Sequence, residues 1–169
     1  RLVDDDERDV PDGEIGELIC RGPYTLRGYY KAEDYNRQAF SADGYYKTGD
    51  LMRRHPSGNL IVEGRKKDLV NRGGEKISAE EVENLILTHP AVENVACVAV
   101  PDPVLGERMC ACIVLRPGQQ LTLPALGEYL LGQGIAKFKL PERLELFDEL
   151  PLGPGFNKVS KKTLRERLH

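Results

Sequence analysis

The chain has 169 residues, 40% of them hydrophobic and 30% charged, with a formal net charge of -3. That is the composition of a globular protein long enough for one ordinary domain or two small ones. A mildly acidic balance argues against a nucleic-acid partner, and no apolar run approaches the roughly 18 residues of a membrane span.

In chain order, RLVDDDERDVPDGEIGEL (1–18) opens as an acidic surface run and a turn, without a signal-peptide pattern. ELICRG (17–22) and YYKTGDLMRR (45–54) have β character, and KAEDYNRQAF (31–40) between them is a short amphipathic helix ending at ADG. PSGN (56–59) is a turn, and LIVEGR (60–65) the returning strand of a hairpin. VEGRKKDLVNRGGEKISAEEVE (62–83) then passes from a strand into a basic, glycine-broken ribbon and on into a helix. Ser78 with Glu81 three residues on forms a capping box, while Val82, Leu85 and Ile86 supply an apolar face at helical spacing. That helix stops near His89-Pro90. AVENVACVAV (91–100) and ERMCACIVL (107–115) are strands joined by PDPVLG. LTLPALGEYLLGQG (121–134) is a helix with Thr122 as cap and Gly134 as stop, RLELFDEL (143–150) a further strand, and SKKTLRERL (160–168) a terminal helix. Strands alternating with helices make a compact α/β unit after a small β-rich piece, with the boundary near Lys67-Asp68.

The four cysteines, Cys20, Cys97, Cys110 and Cys112, form no CxxC pair. They read as core thiols in a reducing compartment, with the cytoplasm as the expected location and no metal site. Tyr24, Tyr29 and Tyr30 are expected to pack into the β-rich piece. His55, His89 and His169 have no neighbours that suggest catalysis or metal binding.

Three segments carry possible chemistry. In YKTGDL (46–51), Asp50 either caps its turn or offers an acceptor-only carboxylate to paired hydroxyls such as those of a ribose. In GRKKD (64–68), the planar fork of Arg65 suits bidentate oxygen ligands, whereas Lys66 and Lys67 are the usual material of a solvated face. Gly73 and Gly74 permit positive φ or a close ligand approach, and equally a plain turn. PLGPGFNKVSKK (151–162) leads a Pro-Gly loop into lysines that either meet an anion or are simply solvated.

The order of YKTGD, GRKKDLVNRGGEKISAEEVE and a late Pro-Gly loop with lysine resembles the adenylate-forming superfamily. ICRGPYTLRGYYKAEDYNRQAF, EGRKKDLVNRGGEKISAEEVEN and KVSKKTLRE resemble more particularly its 2,3-dihydroxybenzoate–AMP ligases and salicylate-activating relatives of siderophore synthesis. The resemblance spans essentially the whole chain. It implies an α+β fold: residues 1–67 as the β-rich end of the large adenylating domain, and 68–169 as a small, mobile α/β C-terminal lid.

It also implies activation of an aryl acid by ATP and Mg2+ to an acyl-adenylate, then transfer to the phosphopantetheine thiol of an aryl carrier protein. Asp50 would hold the ribose hydroxyls, Arg65 would assist at ribose or phosphate, and Lys158 would be the catalytic lysine. Asp68 would be the hinge, with Gly73 and Gly74 lining the pantetheine tunnel.

The late loop departs from the family pattern. Gly153, Pro154 and Gly155 stand near the usual threonine, Asn157 precedes Lys158, and Lys161 and Lys162 are the alternative lysines. The phosphate loop, the acid pocket and most of the magnesium site are expected upstream of Arg1. The chain is therefore expected to be the C-terminal third of an enzyme and inactive alone. The competing readings are an acyl-CoA synthetase for another acid and a non-catalytic module that binds a carrier protein.

Overall fold

A computed structural model describes residues 1–153 and 158–168, which form two compact units, Arg1–Lys67 and Asp68–His169. Pro154, Gly155 and Asn157 of the late loop, and His169, lie outside the described residues.

In the first unit, strands β1 (Leu2–Val3), β2 (Ile15–Cys20), β3 (Tyr46–Arg54) and β4 (Leu60–Arg65) form an antiparallel sheet in that order, with α1 (Glu33–Ala39) between β2 and β3. The opening acidic run thus contains a short strand that its charge concealed. The β3–β4 hairpin turns at the expected PSGN segment, where the His55 N–H donates to the Asn59 carbonyl at 2.8 Å. Apolar burial is sparse and centres on Leu2, Val3, Ile19, Ala39 and Leu51. Tyr24 and Tyr30 contradict the packing expectation: they are 101% and 88% exposed, because the coil that carries them joins no strand. Tyr29 is partly exposed, with its hydroxyl 3.0 Å from that of Tyr46 and its ring edge-on to Tyr35.

The second unit begins with a hairpin where the sequence suggests a loose ribbon. β5 (Leu69–Arg72) and β6 (Glu75–Ser78) pair antiparallel, with Arg72 opposite Glu75. Gly73 and Gly74 form its two-residue turn with φ of +58° and +97°, the sign that a type I′ turn requires at both central positions. β7 (Val92–Asp102) and β8 (Gly106–Leu115) are the long central pair, and β9 (Arg143–Leu146), shorter than expected, runs parallel to β8. The order β6-β5-β8-β7 leaves β7 at an edge.

The helices are α2 (Ala79–Leu87), α3 (Leu123–Gly132) and α4 (Lys161–Leu168). Ser78 caps α2 by accepting the Glu81 N–H, and Thr122 caps α3 by accepting the Ala125 N–H. Ser160 does the same for α4, accepting the Thr163 N–H at 3.2 Å.

Both faces of the β7–β8 pair are covered, which explains why VACVAV and MCACIV are continuous apolar runs rather than alternating ones. On one face Cys97, Met109, Ala111 and Ile113 pack with Val82 and Ile86 of α2 and Leu126 and Leu130 of α3. On the other, Val98, Val100, Cys110 and Cys112 pack with Leu150 and with Leu164 of α4. Cys97, Cys110 and Cys112 are buried, as expected of core thiols, and Cys20 is half-buried. No helix among the described residues is long and apolar enough to cross a membrane.

Candidate functional site

The Thr48-Gly49-Asp50 segment is a bulge. Between Glu17↔Leu51 and Ile19↔Lys47, β2 advances two residues (17 to 19) while β3 covers four (51 to 47). Gly49, at φ +73°, lets the backbone take the left-handed conformation that such a bulge uses. The Thr48 hydroxyl donates to the Leu18 carbonyl at 2.8 Å and accepts the Asp50 N–H at 3.1 Å, which fixes the aim of the Asp50 carboxylate. Arg65 stands opposite Asp50 on β4 and its Nε reaches Oδ1 at 2.7 Å. A carboxylate offers about four lone-pair sites, so this pair leaves acceptor capacity for two neighbouring hydroxyls. Thr48, Gly49 and Arg65 open onto a cavity of about 620 Å³ whose wall includes Tyr29, Tyr35 and Tyr46.

Glu17, which sequence reasoning passed over, underlies this bulge. Its side chain is 9% exposed; Oε1 accepts the Gly49 N–H at 3.2 Å and Oε2 takes Lys66 Nζ at 2.9 Å. Lys66 also pairs with Asp5 at 3.0 Å, so it is no free solvated lysine. Burial alone would lower its pKa, but the bonds to Glu17 and Asp5 prevail and raise it. The available signal was a carboxylate at an inward strand position otherwise occupied by apolar residues.

In the second unit, Asp68 closes the 3₁₀ turn Lys66–Asp68 and receives Arg165 of α4 at 2.9 Å. The Gly73-Gly74 turn is braced: the Gly73 N–H donates to the Leu105 carbonyl at 2.8 Å, and the Gly74 N–H to Asn71 Oδ1 at 3.2 Å. A Cβ on Gly73 would stand 3.3 Å from Leu105 Cδ2. At the foot of the turn Arg72 grips Glu142 through two bonds of 3.0 and 2.9 Å.

Three late lysines have different surroundings. Lys158 is exposed, and makes no ion pair with a described residue; its carbonyl accepts the Gly153 N–H at 2.8 Å. Lys161 is bound to Glu83 at 2.7 Å with side-chain exposures of 19% and 15%, which occupies its ammonium in an ion pair. Lys162 is exposed, 3.8 Å from Glu166. The structure thus joins Asp50 with Arg65, and places Asp68, the diglycine turn and Lys158 at separate points of the second unit. Among the described residues, no group of three or more His, Cys, Asp or Glu could hold a metal ion.

The profile described as AMP-binding enzyme C-terminal domain matches residues 81–154. The salicylyl-CoA synthase / salicylate adenylyltransferase of a Streptomyces species is 57% identical over 165 residues, covering 98% of this chain and 30% of that protein. The 2,3-dihydroxybenzoate-AMP ligase of Bacillus subtilis is 50% identical over 168 residues, covering 99% and 31%. Among solved structures, ATP-bound MatB from Rhodopseudomonas palustris aligns with a TM-score of 0.88 at 33% identity, covering 99% of this chain and 33% of that one. The chain spans about 30% of the length of the curated relatives it matches. Residues 81–154 are an AMP-binding enzyme C-terminal domain, and the chain as a whole is similar to the C-terminal part of aryl-acid–AMP ligases.

Proposed function

We propose that this chain is the C-terminal part of an ATP-dependent aryl-acid–AMP ligase of siderophore synthesis, acting on 2,3-dihydroxybenzoate or salicylate. The observation that carries the reading is the Asp50 carboxylate, re-aimed by the Gly49 bulge and gripped by Arg65 beside an aromatic-walled cavity. Asp50 accepts the two ribose hydroxyls of ATP, and Arg65 both orients that carboxylate and faces ribose or phosphate oxygens. Lys158 supplies a cation between the acid's carboxylate and the α-phosphate, drawing two anions together and stabilising charge in the transition state.

Residues 1–67 end the large domain and 68–169 are the lid, with Asp68 as its pivot. The tight Gly73-Gly74 turn then lines the passage of the phosphopantetheine arm of an aryl carrier protein, where side chains would obstruct a close approach. Magnesium accompanies ATP, and no described residue is assigned to it. The aryl substrate rests on the likeness to the salicylate and dihydroxybenzoate enzymes.

The acceptor thiol has a second candidate. The o-succinylbenzoate CoA synthetase of Bacillus subtilis aligns at 31% identity with a TM-score of 0.85, which favours testing coenzyme A beside the carrier protein.

The test is pyrophosphate exchange with salicylate and with 2,3-dihydroxybenzoate in the complete enzyme that carries this chain. Asp50→Ala and Lys158→Ala are each expected to reduce exchange by about 100-fold or more. Normal exchange in both variants would refute the assignment. The 169-residue chain alone is expected to show none.

A further inference from the structure

Lys158 is an exposed, four-carbon cation, and such an ammonium is useful only if its base is held still. Its main chain belongs to a short paired segment: Leu152 bridges Val159, the Gly153 N–H donates to the Lys158 carbonyl, and the Ser160 N–H donates to the Pro151 carbonyl at 2.7 Å. Ser160 then caps α4, and the first residue of that helix is Lys161.

Lys161 Nζ lies 2.7 Å from Glu83 Oε1, and the same oxygen accepts the Cys97 N–H at 2.6 Å. Cys97 sits on β7, the edge strand, so its N–H is given to the carboxylate rather than to a further strand. Glu83 is thereby fixed by α2 on one face of the sheet and by the main chain of β7. Through Lys161 it ties down the first turn of α4, whose Leu164 packs on the opposite face. The tie lies three residues from Lys158.

We propose that Lys161, held by Glu83, is a positioning residue that sets the reach of Lys158 for adenylate formation. The proposal rests on the reading of Lys158 as the adenylating lysine. It assigns no contact of Lys161 with substrate. Its consequence is selective: acyl-AMP formation depends on where Lys158 stands, whereas transfer of the acyl group from preformed acyl-AMP to a thiol does not.

The test measures both half-reactions in the complete enzyme for Lys161→Met, for the neutral pair Glu83→Gln/Lys161→Met, and for Lys161→Arg. In the double variant glutamine keeps an acceptor for the Cys97 N–H, which guards against simple loss of folding. Adenylate formation is expected to fall in kcat by about 10- to 100-fold in the first two variants, the scale of a misplacement near 1 Å. Transfer from preformed acyl-AMP is expected to stay within about twofold of wild type, because Lys158 takes no part in it. Lys161→Arg is expected to restore most of the loss, since it keeps a cation facing Glu83.

Wild-type adenylation in the double variant overturns the proposal, and so does an equal fall in both half-reactions, which would mark a purely structural pair. Lys158→Ala run in parallel separates the failures. If Lys158→Ala abolishes adenylation while the double variant does not, only the role of Lys161 is refuted. If Lys158→Ala leaves adenylation intact, the reading of Lys158 falls and this proposal with it.

Discussion

Helix α4 reads KKTLRERL, a strongly charged sequence with one fully buried side chain, Leu164. Its docking therefore depends on that residue, which packs among Val98, Val100, Cys110, Cys112 and Leu150, with Phe147 and Val159 at the margin. Replacing Leu164 by alanine removes a side chain whose full burial stabilises by about 1.5–3 kcal/mol and leaves a void between two packed layers. The expected loss is about 3 kcal/mol, within the range of buried Leu→Ala changes. For a unit of about 100 residues this corresponds to a fall in Tm of roughly 12–20 °C.

Calorimetry of the whole chain should show that shift in the transition of the second unit. Hydrogen exchange should show amides of 161–168 losing protection while those of β7 and β8 keep most of theirs, because the opposite face holds its own apolar cluster. The ion pairs Lys161–Glu83 and Arg165–Asp68 would then be left without the contact that seats their helix. A change below about 1 kcal/mol, with α4 protection intact, would refute the argument and show that these ion pairs dock the helix instead.

Two further outcomes follow from the electrostatics. Glu17→Gln keeps an acceptor for the Gly49 N–H but leaves Lys66 with Asp5 alone, an expected cost of about 1–2 kcal/mol given that Lys66 is substantially exposed. Six of the seven tyrosines lie in residues 1–67, so tyrosine emission during urea unfolding reports that unit. Since the folded pKa of Lys66 is raised, its contribution is full below the unfolded lysine value of about 10.4 and fades as pH climbs through the folded value. The gap between wild type and Glu17→Gln should therefore close in strong alkali; a gap that widens there would contradict the assignment.

At the β7–β8 turn, the Leu105 and Val104 N–H groups, each 2.9 Å from Asp102 Oδ1, hold that carboxyl below its ordinary range. Its stabilising contribution is present above the unfolded value of about 3.9 and is lost as pH falls through the lower folded one. An NMR titration of Asp102 should find its midpoint below that of an unstructured aspartate, and a midpoint above it would refute the turn geometry.

Much of the second unit was legible from residue order. The caps at Ser78 and Thr122, the apolar spacing of Val82, Leu85 and Ile86, and the long runs of β7 and β8 are local signals, because helix periodicity and capping act within a few residues. The resemblance of YKTGD, GRKKD and the late lysine to the adenylate-forming superfamily likewise pointed to Asp50, Arg65, Asp68 and Lys158. Other features lay beyond that range. The Glu17–Lys66, Arg65–Asp50, Arg165–Asp68 and Lys161–Glu83 pairs join residues between 15 and 97 positions apart, and no local pattern names which charge meets which. The β5–β6 hairpin was hidden because each strand is only four residues long, with two polar residues in β5 and three in β6.

Sequence alone determined the capped helices, the long β7 and β8 strands and most of the side chains that could carry chemistry, since propensity and patterning are properties of neighbours. Tertiary structure alone decided that Gly49 is a bulge glycine, that a buried carboxylate supports it, and that Lys161 is occupied while Lys158 stands in solvent. Those outcomes depend on strand register and on low-dielectric pairing, both of which exist only after distant segments meet.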